Sequence, residues 1–269
     1  MKNWLAAAIA AKKIDPFELW PLLSREEMKA AMAPAVKGYR TDPERSRLWE
    51  RIATFTLKSV HNSYKLFTSG GMPEQKQRTD VLFYANSRNN HDALYPIYEQ
   101  MQRESQCLFV TNDEIARLLK LSYTFAIPYL PFLLLQTTKK KGYCRESIRW
   151  GFDGYWQNYG LYFLSRLWLQ KLSPKVVFVA NDHSNMPCVL TKAASDLGMS
   201  TCYVQHGSVT ENFPPLNFDY AFLDGIDAAK KYATAESRTP ANASRTRSCA
   251  VYLVGLSKFE VKETDTNES

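Results

Sequence analysis

The chain has 269 residues, a formal net charge of +7 and 45% hydrophobic residues. That length and apolar content support one large domain or two small ones with a proper core, and they exclude a disordered chain. The basic balance points to an anionic partner such as a nucleotide, a phosphorylated substrate or a lipid head group; no RNP-like aromatic motif, zinc finger or basic helix makes nucleic acid the leading choice.

Residues 1–68 read as a helical segment, with Ala-rich runs, the helix-start signals DPFE and SREE, and helical spacing in RLWERIATFTLKSV. WLAAAIAA (4–11) lacks the cleavage site of a signal peptide and reads as an amphipathic or buried helix. SGGMPEQKQRTD (69–80) is a polar linker and a domain boundary. VLFYA (81–85) then reads as a strand, followed by the polar loop NSRNNHD and a helix through LYPIYEQMQRE. CLFVT (107–111) is a second strand, and NDEIARLLK opens a helix at an Asn or Asp cap. LSYTFAIPYLPFLLLQ (121–136) is shorter than the ~20 residues of a spanning helix and is interrupted by Pro128 and Pro131. It reads as a buried core segment, or as a surface that dips into a lipid interface while the lysines at 139–141 meet anionic head groups.

Residues 145–172 form a long aromatic-rich helix; KVVFVA (175–180) is a strand, 185–198 a helix ending at a Gly cap, and TCYVQ (201–205) a strand. FDYAFLDG (218–225), a helix and AVYLVG (250–255) complete the α/β unit, assigned to 81–255, with 256–269 as a polar tail. Apolar strands alternating with helices predict an α/β fold: a Rossmann-like parallel sheet with helices on both faces. The five cysteines are widely spaced without a CxxC, so they read as free thiols of a reducing compartment.

In parallel sheets ligands sit at the carboxyl ends of the strands. There the sequence places Asn86, Ser87, Arg88 and His91, then Thr111, Asn112 and Asp113, then Asn181, Asp182, His183 and Ser184, and finally Gln205, His206, Gly207 and Ser208. Asp182 is either a helix cap, or a carboxylate that takes a proton from an acceptor hydroxyl or supports a neighbouring imidazole. His206 reads as a general base, or as a cation holding a phosphate or carboxylate with the amides of Gly207 and Ser208. Gly207 would let the backbone approach a ligand, and Arg88 would hold an anionic group. Because GxGxxG, GxxxxGK[ST], GxSxG and HExxH are all missing, the common dehydrogenases, P-loop kinases, serine hydrolases and zinc proteases are disfavoured.

VLFYANSRNNHDALYPIYEQMQ, then VVFVANDHSNMPCVLTKAASDLGMSTCYVQHGS, then FDYAFLDG with AVYLVG, together resemble bacterial surface-polysaccharide glycosyltransferases of the GT-B type. Their relatives include capsule and lipopolysaccharide transferases for Kdo or other nonulosonic acids and the CDP-glycerol glycerophosphotransferases. The resemblance covers roughly 80–255, mainly the N-terminal half of such enzymes, with QHG its most specific part. It implies half of a GT-B fold, transferring sugar from a nucleotide-activated donor to a surface polysaccharide or lipid-linked glycan, with no metal cofactor. It places His206 beside the reacting groups and Asn181 and Asp182 in the acceptor-side loop. It also implies a second transferase domain or subunit, and the basic, apolar 121–141 region would keep such a cytoplasmic protein at the inner membrane. The rival expectation is a non-catalytic Rossmann-like binding or assembly subunit of a polysaccharide biosynthesis complex.

Overall fold

Six short strands of mostly branched and aromatic residues set the architecture. They are β1 (Val81–Ala85), β2 (Cys107–Thr111), β3 (Val176–Val179), β4 (Ser200–Val204), β5 (Tyr220–Leu223) and β6 (Ala250–Leu253). The computed structural model describes residues 2–26, 28, 48–68, 79–238 and 248–255. All five strand pairings are parallel, and the order across the sheet is β2-β1-β3-β4-β5-β6. This is the doubly wound 2-1-3-4-5 order with a sixth strand added, a Rossmann-like α/β fold. The direction of winding reverses between β1 and β3, which opens a crevice above their carboxyl ends.

The two faces of the sheet carry different residues of the same strands, as the two-residue pleat requires. Val81, Phe83, Ala85, Phe178, Cys202 and Val204 form one face. Against it packs α4 (Arg88–Met101), through Ala93 and Leu94. Leu82, Tyr84, Val177, Val179, Tyr203 and Ala221 form the other face, and the larger core grows from there.

That second face is covered by α5 (Ala116–Ala126), α8 (Ile148–Leu172), α9 (Asn185–Asp196) and α10 (Ile226–Ser237). Between α5 and α8 run a 3₁₀ turn (Ile127–Tyr129), α6 (Leu130–Lys139) and the short α7 (Gly142–Glu146). The N-terminal helices α1 (Lys2–Ala11), α2 (Pro21–Ser24) and α3 (Leu48–Thr68) join this layer. Ala7, Ala11, Phe17, Trp20, Leu23 and Phe55 belong to the same core as the sheet, so the helical start packs onto the α/β unit. Most of the linker read at 69–80, the basic segment after Arg238 and the tail at 256–269 lie outside the described residues.

Two local expectations change. The apolar stretch read at 121–136 belongs to a helical run of 24 residues, Ala116–Lys139, long and apolar enough by those measures to cross a membrane. Pro128 and Pro131 do not break it, because each occupies the first turn of a new helical piece, where a missing N–H costs nothing. The residues of NDE do not cap α5. Asn112 instead reaches back to β1, and the Glu114 carboxylate accepts the backbone N–H of Thr111 at 2.7 Å.

Helix α8 touches α5 almost backbone to backbone at Gly160. A Cβ there would overlap the Ser122 carbonyl oxygen and come within 2.8 Å of the Ala126 nitrogen. The Trp156 indole donates to the Ala126 carbonyl at 2.8 Å beside it. Gly160→Ala should therefore destabilise the protein by about 1–3 kcal/mol, the usual cost of overpacking. Helix propensity alone predicts the opposite sign, a gain of up to ~1 kcal/mol. Urea unfolding followed by circular dichroism decides between them.

Candidate functional site

Above the β1/β3 reversal lies a cleft of about 400 Å³. Its floor is Tyr84, the next-to-last residue of β1, with Asn86 just beyond the strand and Asn112 just beyond β2. The Tyr84 hydroxyl donates to Asn112 Oδ1 at 2.6 Å, and Asn112 Nδ2 donates to the Asn86 carbonyl at 3.2 Å. Asn86 Oδ1 accepts from Asn90 Nδ2 at 2.6 Å. These bonds fix two side-chain amides at neighbouring strand ends. Burial pushes the Tyr84 phenol up, which keeps it a donor at neutral pH.

The walls come from helices. Leu119, Lys120 and Tyr123 enter from α5, Gln157 and Leu161 from α8, Lys58 and Asn62 from α3, and Asn185 and Met186 from the start of α9. Lys58 donates to the Tyr123 hydroxyl at 3.1 Å and lies 4.5 Å from the centre of its ring. Gln157 Nε2 donates to Ser122 Oγ at 2.8 Å. Among the described residues, the lining holds five side-chain amides and two ammonium groups but no carboxylate. Such a surface suits a polyhydroxylated or anionic ligand.

Of the strand-end residues read from the sequence, Asn86 and Asn112 line this cleft and the others are placed differently. Ser87 is the N-cap of α4, accepting the Asn90 N–H at 3.3 Å. Arg88 is exposed in the first turn of that helix. His91 stacks on Tyr95 at 4.9 Å and lines a separate open groove with Asp92, Tyr95 and Pro96. Being four residues into α4 rotates it away from the cleft, so His91 does not join the other strand-end residues as the loop reading expected.

The loop after β3 is a closed structure. Asn181 Oδ1 accepts the N–H groups of His183 and Ser184 at 3.1 and 2.8 Å, taking the turn-forming part read for Asp182. The Asp182 side chain is 1% exposed. His183 Nδ1 lies 2.8 Å from one of its oxygens, and the Tyr232 hydroxyl donates to the other at 2.7 Å. The Tyr203 and Tyr232 hydroxyls lie 3.0 Å apart. Burial first, then the nearby Asp182 carboxylate, pushes both phenols well above the ordinary range, so they stay protonated. The His183 ring rests against Phe213 at 5.1 Å, and its carbonyl accepts the Leu22 N–H at 3.1 Å. In this conformation Asp182 is a buried structural acceptor. A substrate hydroxyl has no path to it, which corrects the reading of Asp182 as an open base.

After β4, Gln205 braces two strand ends: its Nε2 donates to the Gly207 carbonyl at 2.9 Å and its Oε1 accepts the Asp224 N–H at 3.1 Å. His206 and Gly207 are half-buried and Ser208 is exposed. A Cβ on Gly207 would meet nothing within 4 Å, so the loop leaves open space there. None of Gln205, His206, Gly207 and Ser208 lines the cleft. Among the described residues, no group of three His, Cys, Asp or Glu side chains is placed to hold a metal ion.

The helix contributions to the cleft escaped the sequence reading. Their signal is polar residues set into apolar helices: Lys120 within ARLLKLSYTF and Gln157 within GYWQNYG. Compared with protein-family models, with curated proteins and with solved structures, the chain finds no match.

Tyr232→Phe should cost about 1–3 kcal/mol of stability, because it takes a hydrogen bond from a buried charged acceptor. Its denaturation midpoint, compared with that of Tyr95→Phe on the open groove, checks this; equal midpoints would remove Asp182 from the structural role.

Proposed function

We propose that the chain is the Rossmann-like, acceptor-side half of a glycosyltransferase that uses a nucleotide-activated sugar to extend a surface polysaccharide or lipid-linked glycan. The observation that carries this reading is the cleft at the winding reversal, lined by amides and ammonium groups without a carboxylate. Amide side chains both donate to and accept from sugar hydroxyls. The Lys58 and Lys120 ammonium groups favour a phosphate or sugar carboxylate there. The edge strand β6 adds support: Val251, Tyr252, Leu253 and Val254 are 44–56% exposed, an apolar rim that a second transferase domain would cover.

In this reading the half binds and orients one substrate. His206, half-buried and followed by Gly207 with open space beside it, is the ionisable ring we assign to the reacting bond. Its part would be to accept the hydroxyl proton or to hold phosphate charge. Asp182 acts only through the loop it stiffens.

A second reading rests on a specific observation. The Asp182 carboxylate, just beyond β3, is locked in a buried network, as in a binding module that performs no chemistry. On this reading the same cleft serves a non-catalytic subunit of a polysaccharide assembly.

Thermal-shift titration with CMP-, CDP- and UDP-linked sugars and with short anionic glycans tests the ligand class. Asn112→Asp, which introduces a carboxylate into the cleft, should weaken binding of the anionic ligand by at least about tenfold, the loss expected of a like charge at close range. His206→Ala should leave binding in the cleft unchanged and abolish transfer in the presence of the second domain. Binding without transfer in any combination would leave the non-catalytic reading; no binding of any of these ligands would sink both.

A further inference from the structure

The helical run Ala116–Lys139 is only partly enclosed: 28% of its apolar window is buried. Leu118, Ser122, Ala126, Tyr129 and Leu133 face the core. On the opposite side Ile127, Pro131, Leu134 and Leu135 are exposed, the last at 54%, in a stripe at helical spacing. Helix α1 lies alongside. The Tyr129 hydroxyl donates to the Ala8 carbonyl at 3.3 Å, and the Lys12 ammonium sits 5.6 Å from the centre of the Phe132 ring. Helix α1 buries Ala7 and Ala11 and leaves Leu5 58% and Ile9 46% exposed. The two apolar faces therefore adjoin across the Lys12–Phe132 contact.

Charge identifies what covers them. Residues 2–13 and 116–141 contain Lys2, Lys12, Lys13, Arg117, Lys120, Lys139, Lys140 and Lys141 and no Asp or Glu. Subtracting these eight from the 34 basic residues leaves 26 against 27 acidic ones, so the entire positive excess of the chain lies in the two segments. Lys140 is paired with Asp15, while Lys12, Lys13, Lys139 and Lys141 are exposed.

We propose that the joined outer faces of α1 and the 127–139 helix are a lipid-docking surface, seated in the interface of an anionic bilayer without crossing it. A spanning helix would present lipid on all sides, whereas this one is held on its inner side by Trp156 and the backbone contact at Gly160. Apolar side chains would enter the acyl boundary while the flanking lysines meet phosphate head groups. The same helical run lines the cleft at Leu119, Lys120 and Tyr123. Tyr123 and Leu134 are eleven residues apart, roughly 16 Å along a helix axis. A lipid-anchored acceptor would then need to lift its head group by only a short glycan to enter the cleft. That last step rests on the glycosyltransferase reading; the docking surface does not.

Co-sedimentation of the full chain with phosphatidylglycerol/phosphatidylethanolamine vesicles and with phosphatidylcholine vesicles tests it. Binding should be at least about tenfold stronger to the anionic vesicles, from several basic side chains each worth roughly fivefold. The double variants Leu134→Glu/Leu135→Glu and Leu5→Glu/Ile9→Glu, each with unchanged thermal melting, should each lose at least about tenfold, the equivalent of one buried leucine. Alkaline carbonate should release the protein. Resistance to carbonate, loss in only one of the two variants, or a folded chain that ignores vesicles would each overturn the proposal. So would a dimer in solution that these same variants dissociate, since the face would then belong to a second copy. No sugar enters this assay, so its failure is separate from failure of the cleft to bind a glycan.

Discussion

The close approach of α8 to α5 at Gly160 determines where everything else can stand. Fifteen of the 25 residues of α8 are buried, and it is the helix on which α1, α5 and α9 all rest. Because Gly160 has no side chain, α5 lies close enough for the Trp156 indole to reach the Ala126 carbonyl and for Gln157 to reach Ser122. Gln157 lies about one turn before Gly160 and Leu161 directly after it, and both line the cleft with Leu119 and Tyr123 of α5, so the contact sets the width of the cleft wall. The same contact holds the inner side of the 116–139 run against the protein and turns its apolar remainder outward.

Burial decides differently between the polar groups at the strand ends. Taking a carboxylate out of water costs several kcal/mol unless donors replace the solvent. Asp182 obtains such donors from Tyr232 and from the His183 ring, and the same loop is tied to α2 through the His183 carbonyl. The amides of Asn86 and Asn112 are also held by hydrogen bonds, but they line the cleft. The sheet edge thus separates a rigid, satisfied base under β3 and β4 from an unfilled polar surface over β1 and β2. Cys188, whose thiol burial pushes far up, lies in the same part, its sulfur 3.4 Å from the Asp182 carbonyl oxygen.

This division explains what could be read from residues alone. VLFYA, VVFV and YAFL are visible as strands because a parallel sheet buried on both faces needs uninterrupted apolar runs, and their alternation with helices fixes the fold class. Residues just past each strand were read as the ligand-facing edge, and two of them, Asn86 and Asn112, line the cleft, but the directions of such side chains depend on dihedral angles that no pattern encodes. Asn86 and His91 differ by five positions, and one turn of α4 sends them to different grooves. Asp182 looked reactive because its partner Tyr232 is 50 residues away on α10. Lys58, Lys120 and Gln157 come from three helices far apart in sequence, so their place in one cleft was invisible in one dimension.

The winding reversal also accounts for the placement of charge. Helices N-terminal to the crevice point their amide ends toward it, an arrangement favouring anions, and the cleft adds ammonium groups to that field. A carboxylate lining it would oppose both, and none is found in the lining. The Lys120 end of the 116–139 run therefore works in the same electrostatic sense as its lysine-rich far end at 139–141. A helical run with no acidic residue between these two points joins the cleft to the lysine-rich segment. On the proposed readings of cleft and surface, a substrate bearing phosphate on a lipid tail would satisfy both ends at once, which neither a free sugar nor a neutral glycan would do.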